Sequence, residues 1–267
     1  MLKKRIIFTL LYDNNNFILS RNFRIQKVGD INWLRSNYNF SKISFFIDEL
    51  VVIDITRDKQ NIDLFCENLK LITNESFVPV TAGGGIRNIN QALDLLNSGA
   101  DKIIINTPIF HEIELVSELV KSFGRQCVVG SFDCKKNDQN DYDLYYESGR
   151  KKFELSLKEF SEIYNFNLIG ELYLNSIDRD GTGQGYDFNL LDCISNKCNI
   201  PLILAGGAGN SSHLLNGLLD KRVDAVATAH LFNFIGDGLK KARSNVLKSN
   251  INLAKWISLE ELDKSET

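Results

Sequence analysis

The sequence predicts one α/β chain closed as a single (β/α)8 TIM barrel over residues 1–267, and three observations predict it. Eight short runs rich in Ile, Leu and Val recur along the 267 residues. They are continuous instead of alternating, as parallel strands buried on both faces must be. Segments with apolar residues at three- and four-residue spacing separate them, and no Pro-rich, Gly-rich or low-complexity linker divides the chain.

In chain order the strand-like runs are Ile6 to Leu11, Leu50 to Ile55, Val78 to Ala82, Ile103 to Asn106, Cys127 to Phe132, Leu172 to Asn175, Leu202 to Ala205 and Ala225 to Thr228. Helical spacing reads at Ile62 to Ile72, Ile89 to Leu96, Ile113 to Val120 and Leu214 to Leu219. The polar piece Asn137 to Asp143 and the alternating residues after it, to about 155, read as a β-hairpin inserted after the fifth strand. Asp13 opens an asparagine-rich stretch (DNNN) and reads as loop. Ile251 to Thr267 begins amphipathically and ends in charge, which suggests a final helix with a frayed tail. Trp33 and Trp256 read as packing residues near the two ends of the chain.

The chain also looks like one half-structure written twice. VPVTAGGGI (Val78 to Ile86) is echoed by IPLILAGGAG (Ile200 to Gly209), with Pro79 and Pro201 lying 122 positions apart. The same offset carries Gly84 and Gly85 onto Gly206 and Gly207, and Glu49 onto Glu171. A barrel of two similar halves presents two similar sites facing each other.

Composition narrows the function classes. Hydrophobic content of 43% and charge of 24% suit a soluble globular protein, and a net charge of −3 argues against a nucleic-acid partner. The apolar stretch from Met1 to Leu11 is too short for a signal peptide or a membrane span and none follows, so the expectation is a cytoplasmic chain without a membrane partner. Cys66, Cys127, Cys134, Cys193 and Cys198 lack metal spacing and read as reduced structural thiols, Cys127 within a buried strand. His111, His213 and His230 are scattered and read as surface or helix-cap residues. Neither a metal nor a cofactor is expected. Tyr142, Tyr145 and Tyr146 fall on the expected hairpin.

In a barrel of this kind, chemistry sits where strands end and loops begin. Gly83 to Gly85, together with Gly206, Gly207 and Gly209, occupy such ends, and exposed backbone N–H groups there suit phosphate; two grips imply a ligand with two phosphates. Asn106 and Thr107 could add an amide and a hydroxyl to the first grip. The second grip has Ala229 and His230 instead. The densest polar stretch, NSIDRDGTGQGYD, brings Asp178, Asp180 and Thr182 to the end of the sixth strand as a substrate-touching loop. Asp54 and Asp133 are further strand-end carboxylates able to act as acid or base if burial tunes them. Four charged residues stand just before apolar strands: Arg5, Glu49, Lys102 and Glu171. Salt bridges that merely plug the barrel bottom would account for them.

MLKKRIIF, DELVVIDIT, AGGGI, ADKIIINT, SIDRDGTGQGYD and AGGAG, in this order and over nearly the whole chain, resemble the cyclase subunit of imidazole glycerol phosphate synthase, the HisF family. That resemblance implies a (β/α)8 barrel that receives ammonia from a glutaminase subunit and cyclises a bis-phosphorylated ribonucleotide of histidine biosynthesis. It implies two acid/base aspartates, ending the first and fifth strands, and an ammonia gate at the positions of Arg5, Glu49, Lys102 and Glu171.

All four gate positions match, and Asp133 matches the second aspartate, but Leu11 stands at the first. The internal repeat shows the same gap, since Asp133 lies 122 positions after Leu11. Leucine cannot move a proton, and losing one positioned acid/base group costs roughly 10² to 10⁴ in rate. The family's lysine after the first strand is matched by Leu19. The expectation is therefore a subunit that keeps the gate without turning over the family's substrate. This is similar to HisF-like paralogues of bacterial surface-polysaccharide pathways, which pair with a HisH-like glutaminase and supply ammonia to an ATP-dependent sugar amidotransferase. Two other readings stay open: a working cyclase in which Asp13 or a water replaces the carboxylate, and a non-catalytic scaffold that binds phosphate ions or a phosphorylated small molecule.

Overall fold

A computed structural model describes residues 3–230 and 237–254. Its strands are β1 (Arg5–Asp13), β2 (Asn16–Arg21), β3 (Arg24–Gly29), β4 (Glu49–Asp54), β5 (Val80–Gly83), β6 (Lys102–Ile105), β7 (Val128–Lys136), β8 (Tyr142–Tyr146), β9 (Lys151–Ser156), β10 (Glu171–Ser176), β11 (Leu202–Ala205) and β12 (Ala225–Thr228). The helices are α1 (Ile31–Asn37), α2 (Phe40–Ile43), α3 (Ile62–Thr73), α4 (Ile89–Asn97), α5 (Thr107–His111), α6 (Ile113–Phe123), α7 (Leu157–Ile163), α8 (Ser211–Leu219) and α9 (Gly238–Lys248).

Eight strands run parallel in the order β10-β11-β12-β1-β4-β5-β6-β7, and β7 pairs with β10 to close the barrel. Alternation within each strand divides the core in two. Ile6, Phe8, Leu10 and Tyr12 of β1 pack outward into the layer shared with the helices. Ile7 points inward and meets Val51, Ile104, Val129, Tyr173, Ile203, Ala205, Ala225 and Ala227 in a separate apolar cluster inside the barrel. The expected (β/α)8 barrel is thus present. No helix among the described residues is long and apolar enough to cross a membrane.

The duplication is visible atom by atom. Leu50 donates its N–H to Pro79 at 3.0 Å, and Leu172 donates to Pro201 at 2.9 Å. Asn88 caps α4 by accepting from Gln91, and Asn210 caps α8 by accepting from His213. A Cβ on Gly84 would come within 1.9 Å of the Asp54 carbonyl oxygen, and one on Gly206 within 2.6 Å of that of Ser176. Every member of these pairs is 122 positions from its counterpart. Both glycines have positive φ as well, so the close approach of neighbouring backbone by itself explains why glycine stands at these ends.

Several details depart from the sequence reading. The third barrel strand begins at Val80 instead of Val78; Pro79, without an N–H, serves only as an acceptor at its edge. Cys127 is half-buried at the end of a short 3-10 turn, Arg125–Cys127, and the fifth barrel strand starts one residue later. The connection after β10 carries only the 3-10 turn Phe188–Cys193, because its glycine-rich first part supports no helix. Asp13 is the last residue of β1 instead of a loop residue. Asn14 and Asn15, both at positive φ, form the two-residue turn that folds β2 back on β1. The β2–β3 hairpin that results was not expected. A second hairpin, β8–β9, extends β7. Tyr142 is buried in it with its hydroxyl donated to Asp187 at 2.8 Å, while Tyr146 packs on His111. Trp33 packs against Gly29. Trp256 and most of the expected final helix lie outside the described residues, and Leu253 bridges to Lys4.

Helix α9 is fastened to the barrel bottom by a buried bidentate pair. Arg243 Nη1 and Nη2 reach Asp48 at 2.9 and 2.8 Å, and Asp48 also accepts from the Ile6 N–H at 2.8 Å. Arg243→Met would leave the Asp48 charge buried and unmatched, at a cost of about 3 to 5 kcal/mol. Urea unfolding should show that loss and should show most of it recovered when Asp48→Asn is added; equal stability of the single variant and the native chain would disprove the arrangement.

Candidate functional site

The C-terminal ends of the barrel strands surround a cavity of about 340 Å³. Gly84, Gly85, Asn106, Thr107, Asp133, Asp180, Gly206 and Gly207 all line it, together with Leu11, Leu19 and Asp54. Asp178 and Thr182, expected from the sequence to touch substrate, do not line the cavity. Asp178 accepts the Lys136 N–H at 2.7 Å and so braces the fifth strand's extension, while Thr182 turns back to donate to the Arg179 carbonyl at 2.7 Å. The Asn106 amide reaches the Ser131 carbonyl at 3.0 Å and Asp133 at 3.4 Å. Asn106 also donates to the Tyr145 carbonyl at 3.2 Å and Thr107 accepts from the Glu147 N–H at 3.3 Å, so both residues hold the second hairpin against the fourth barrel strand.

Asp133, on β7, accepts from the Asn175 amide at 2.9 Å. Burial pushes its carboxyl up to about 7; the Asn175 bond works against that rise, and the nearby Asp180 adds to it. Across the barrel, at the corresponding level of β1, stands Leu11. Burial also raises Asp180, which accepts from Ser20 Oγ at 2.5 Å and from the Phe23 N–H at 3.1 Å. Through these bonds the unexpected first hairpin is pinned to the loop after the sixth barrel strand. Asp54 is raised by burial too, despite the Thr56 N–H at 2.9 Å. His230, read from the sequence as a surface or cap residue, lines the cavity, and burial lowers its pKa. His213 accepts the Gly209 N–H at the start of α8, and His111 packs on Tyr146 and Phe153.

Sequence reasoning passed over Thr9, Arg57, Arg87, Arg150, Tyr173 and Asn175, which also line the cavity. Thr9 and Tyr173 share a hydrogen bond of 3.1 Å at its floor. Inward parity along β1 and β10 would have found Thr9, Tyr173 and Asn175; only the folded loops reveal the arginines. Asp13 does not line the cavity.

At the opposite end of the barrel, Arg5, Glu49, Lys102 and Glu171 form a closed ring of alternating charge. Arg5 contacts Glu49 at 2.8 Å and Glu171 at 2.5 Å, while Lys102 contacts Glu49 at 3.0 Å and Glu171 at 2.7 Å. Thr81 donates to Glu49 at 2.6 Å. Burial tends to raise Glu171, but Arg5 and Lys102 outweigh it and hold the carboxyl below its ordinary value. Between ring and cavity, among the described residues, lies the apolar interior cluster around Ile7, Val51 and Val129.

Fold and site together define a (β/α)8 barrel with a carboxylate-bearing cavity over an ionic ring. The sequence profile described as histidine biosynthesis protein matches residues 37–236, and the chain belongs to that family. It is 43% identical to a protein from Parasynechococcus marenigrum strain WH8102 with the provisional name imidazole glycerol phosphate synthase subunit hisF2, over the whole of this chain and 99% of the relative. It is 36% identical to the imidazole glycerol phosphate synthase subunit HisF of Dictyoglomus thermophilum, over 88% of this chain and 91% of that one. The corresponding subunit of Chlorobaculum tepidum is 35% identical, over 95% of this chain and 99% of its own length. The chain is thus HisF-like along its length.

The raised Asp133 sets a pH dependence. The folded chain keeps this proton up to about pH 7, whereas the unfolded chain loses it near 4, so the group's contribution to stability falls as pH rises between those values, by about 1.4 kcal/mol per unit. Asp133→Asn should flatten the stability profile over that window and be the more stable form at pH 8. Parallel profiles for the two chains in chemical denaturation would show that Asp133 is not raised.

Proposed function

We propose that this chain is the synthase-type subunit of a glutamine amidotransferase complex that conducts ammonia instead of cyclising it. Ammonia released by a HisH-like glutaminase on the N-terminal face would enter through the ring of Arg5, Glu49, Lys102 and Glu171 and climb the apolar interior to the cavity. The carrying observation is the complete ring beneath a cavity in which Leu11 faces Asp133. Neutral ammonia crosses an apolar lumen far more cheaply than ammonium, which would lose its hydration. Phe77, 76% exposed in the segment leading into β5, gives the N-terminal face an apolar contact for a docking partner. The final acceptor would sit on a third protein, an ATP-dependent amidotransferase that turns an acetamido group of a sugar into an acetamidino group. Resemblance to paralogues of surface-polysaccharide pathways supports that step, together with the loss of acid/base and lysine functions at Leu11 and Leu19.

A second reading, a working cyclase of histidine biosynthesis, draws on Asp133. A carboxyl near 7 suits general acid/base work, and the HisF names of the relatives agree with it. It needs a replacement for the missing aspartate; Asp13 would have to leave its strand end to enter the cavity. On that reading Asp13→Asn abolishes product formation.

Mixing the chain with a HisH-like glutaminase from the same cell should give a complex on gel filtration and faster glutamine hydrolysis. Neither binding nor stimulation would end the conduit proposal. Within such a complex, Glu49→Gln or Lys102→Met should leave the partner bound but lower the ammonia delivered per glutamine hydrolysed by tenfold or more, roughly the effect of losing one charged partner of a buried pair.

A further inference from the structure

Leu11 and Leu19 stand where the HisF resemblance places an aspartate and a lysine, and the fold brings them together. β1, β2 and β4 are neighbours in the sheet and carry Leu11, Leu19 and Ile53 to one side of the cavity, with Leu11 and Ile53 paired across β1 and β4. Removing a proton-transfer group and a charge needs no more than alanine or glycine at each position. Two leucines beside an isoleucine instead build a continuous apolar wall inside a cavity, and such a surface is unfavourable in water until something covers it.

The opposite side of the cavity is made of acceptors. The ends of β6, β7 and β10 bring Asn106, Asp133 and Asn175 to it, and the loop after β10 brings Asp180. Both carboxamides donate through Nδ2, Asn175 to Asp133 at 2.9 Å and Asn106 to the Ser131 carbonyl at 3.0 Å, while no donor among the described residues reaches either Oδ1. Asp180 takes its bonds from Ser20 and from the Phe23 N–H on Oδ2, and its Oδ1 has none. Three such oxygens on one side of a cavity are matched by the O–H or N–H donors of a ligand. They disfavour an anion. A cation meets Arg57, Arg87 and Arg150 in the same lining, each of which already donates to a backbone carbonyl, of Phe23 at 2.6 Å, Ile86 at 3.1 Å and Arg57 at 3.1 Å. The cavity as a whole therefore suits neither sign of charge. Below it, the 3.1 Å bond from Thr9 to Tyr173 joins β1 to β10, three strands away, and closes the floor. The space left, about 340 Å³, holds one small molecule.

We infer that the cavity binds an uncharged, hydroxyl-bearing small molecule that carries a methyl group, with the methyl against Leu11, Leu19 and Ile53 and the hydroxyls donating to Asn106, Asn175 and Asp180. The two leucines set specificity: a ligand with a hydroxymethyl in place of the methyl leaves its extra hydroxyl unmatched against the apolar wall. The inference goes beyond ammonia conduction and does not depend on a glutaminase.

Deoxy sugars supply the probes: L-fucose and L-rhamnose, each compared with the hexose that differs from it only by a hydroxyl on the sixth carbon, L-galactose and L-mannose. Titrated into the isolated chain with its leucine and isoleucine methyls labelled for NMR, a deoxy sugar should move the signals of Leu11, Leu19 and Ile53 and bind about tenfold or more tighter than its parent hexose. Leu11→Asn, of the same branched shape, should abolish that preference, whereas Asn175→Leu should weaken both sugars alike. A merely structural role for either residue would not split the effects in this way. The inference fails if neither deoxy sugar moves those signals, if neither is preferred over its parent, or if ribose 5-phosphate binds tighter than both. It also fails if Leu11→Asn, folded by circular dichroism, keeps the native preference. Because the comparison of sugars uses the native chain, it stands even if a variant does not fold. A failed glutaminase assay would leave it untouched, so the two proposals fall separately.

Discussion

The ionic ring is the constraint from which the rest of this molecule follows. In a closed barrel of eight parallel strands, every first residue arrives at one mouth and every last residue at the other. Four inward positions at the first mouth are filled by two cations and two anions, each bonded to both of its opposites. Such a ring is not the cheapest way to close a barrel. Desolvating charges costs several kcal/mol apiece, and well-packed apolar side chains of similar volume do as well or better. A layer of Ile, Val and Ala already lies directly above it. Under the proposed conduit, the ring would part to admit ammonia, and that would give its cost a purpose.

Duplication organises the opposite mouth. Repeated prolines, asparagine caps and glycine turns give two half-barrels the same backbone, and the side chains laid on it have diverged. Asp133 faces Leu11, and the side of the cavity that carries arginines faces one that carries a neutral histidine and a carboxylate. The result is a cavity with polarity, a cationic wall and a hydrogen-bonding floor, in place of the symmetric one the repeat alone would build. The two hairpins reinforce that asymmetry. The first is tied to the loop after the sixth barrel strand through Ser20, Asn22 and Asp180, and its Phe23 packs against Gly149 of the second.

The barrel was legible in the sequence because continuous apolar runs and three-to-four spacing are local signals. The gathering of glycines, Asn106, Asp133 and Asp180 at one cavity was legible because strand ends in this fold must converge. What escaped depended on turns and on side-chain direction. Asn14 and Asn15 accept left-handed φ and form a hairpin turn, yet in sequence they looked like a solvated loop, which hid β2 and β3 and misplaced Asp13. Asp178 and Thr182 share a motif with Asp180 but point elsewhere, because the turn uses their oxygens to fix its own backbone and that of β7. His230 looked isolated along the chain and is adjacent to Asp180 only in space.

The account turns on whether Leu11 has removed the cyclase while leaving the barrel intact. The most direct measurement supplies ammonium salt and the bis-phosphorylated ribonucleotide substrate of imidazole glycerol phosphate synthase to the isolated native chain and to the Leu11→Asp, Leu19→Lys double variant. The account predicts no imidazole product from the native chain and measurable product from the double variant. Turnover by the native chain at a rate comparable to the variant's would contradict it.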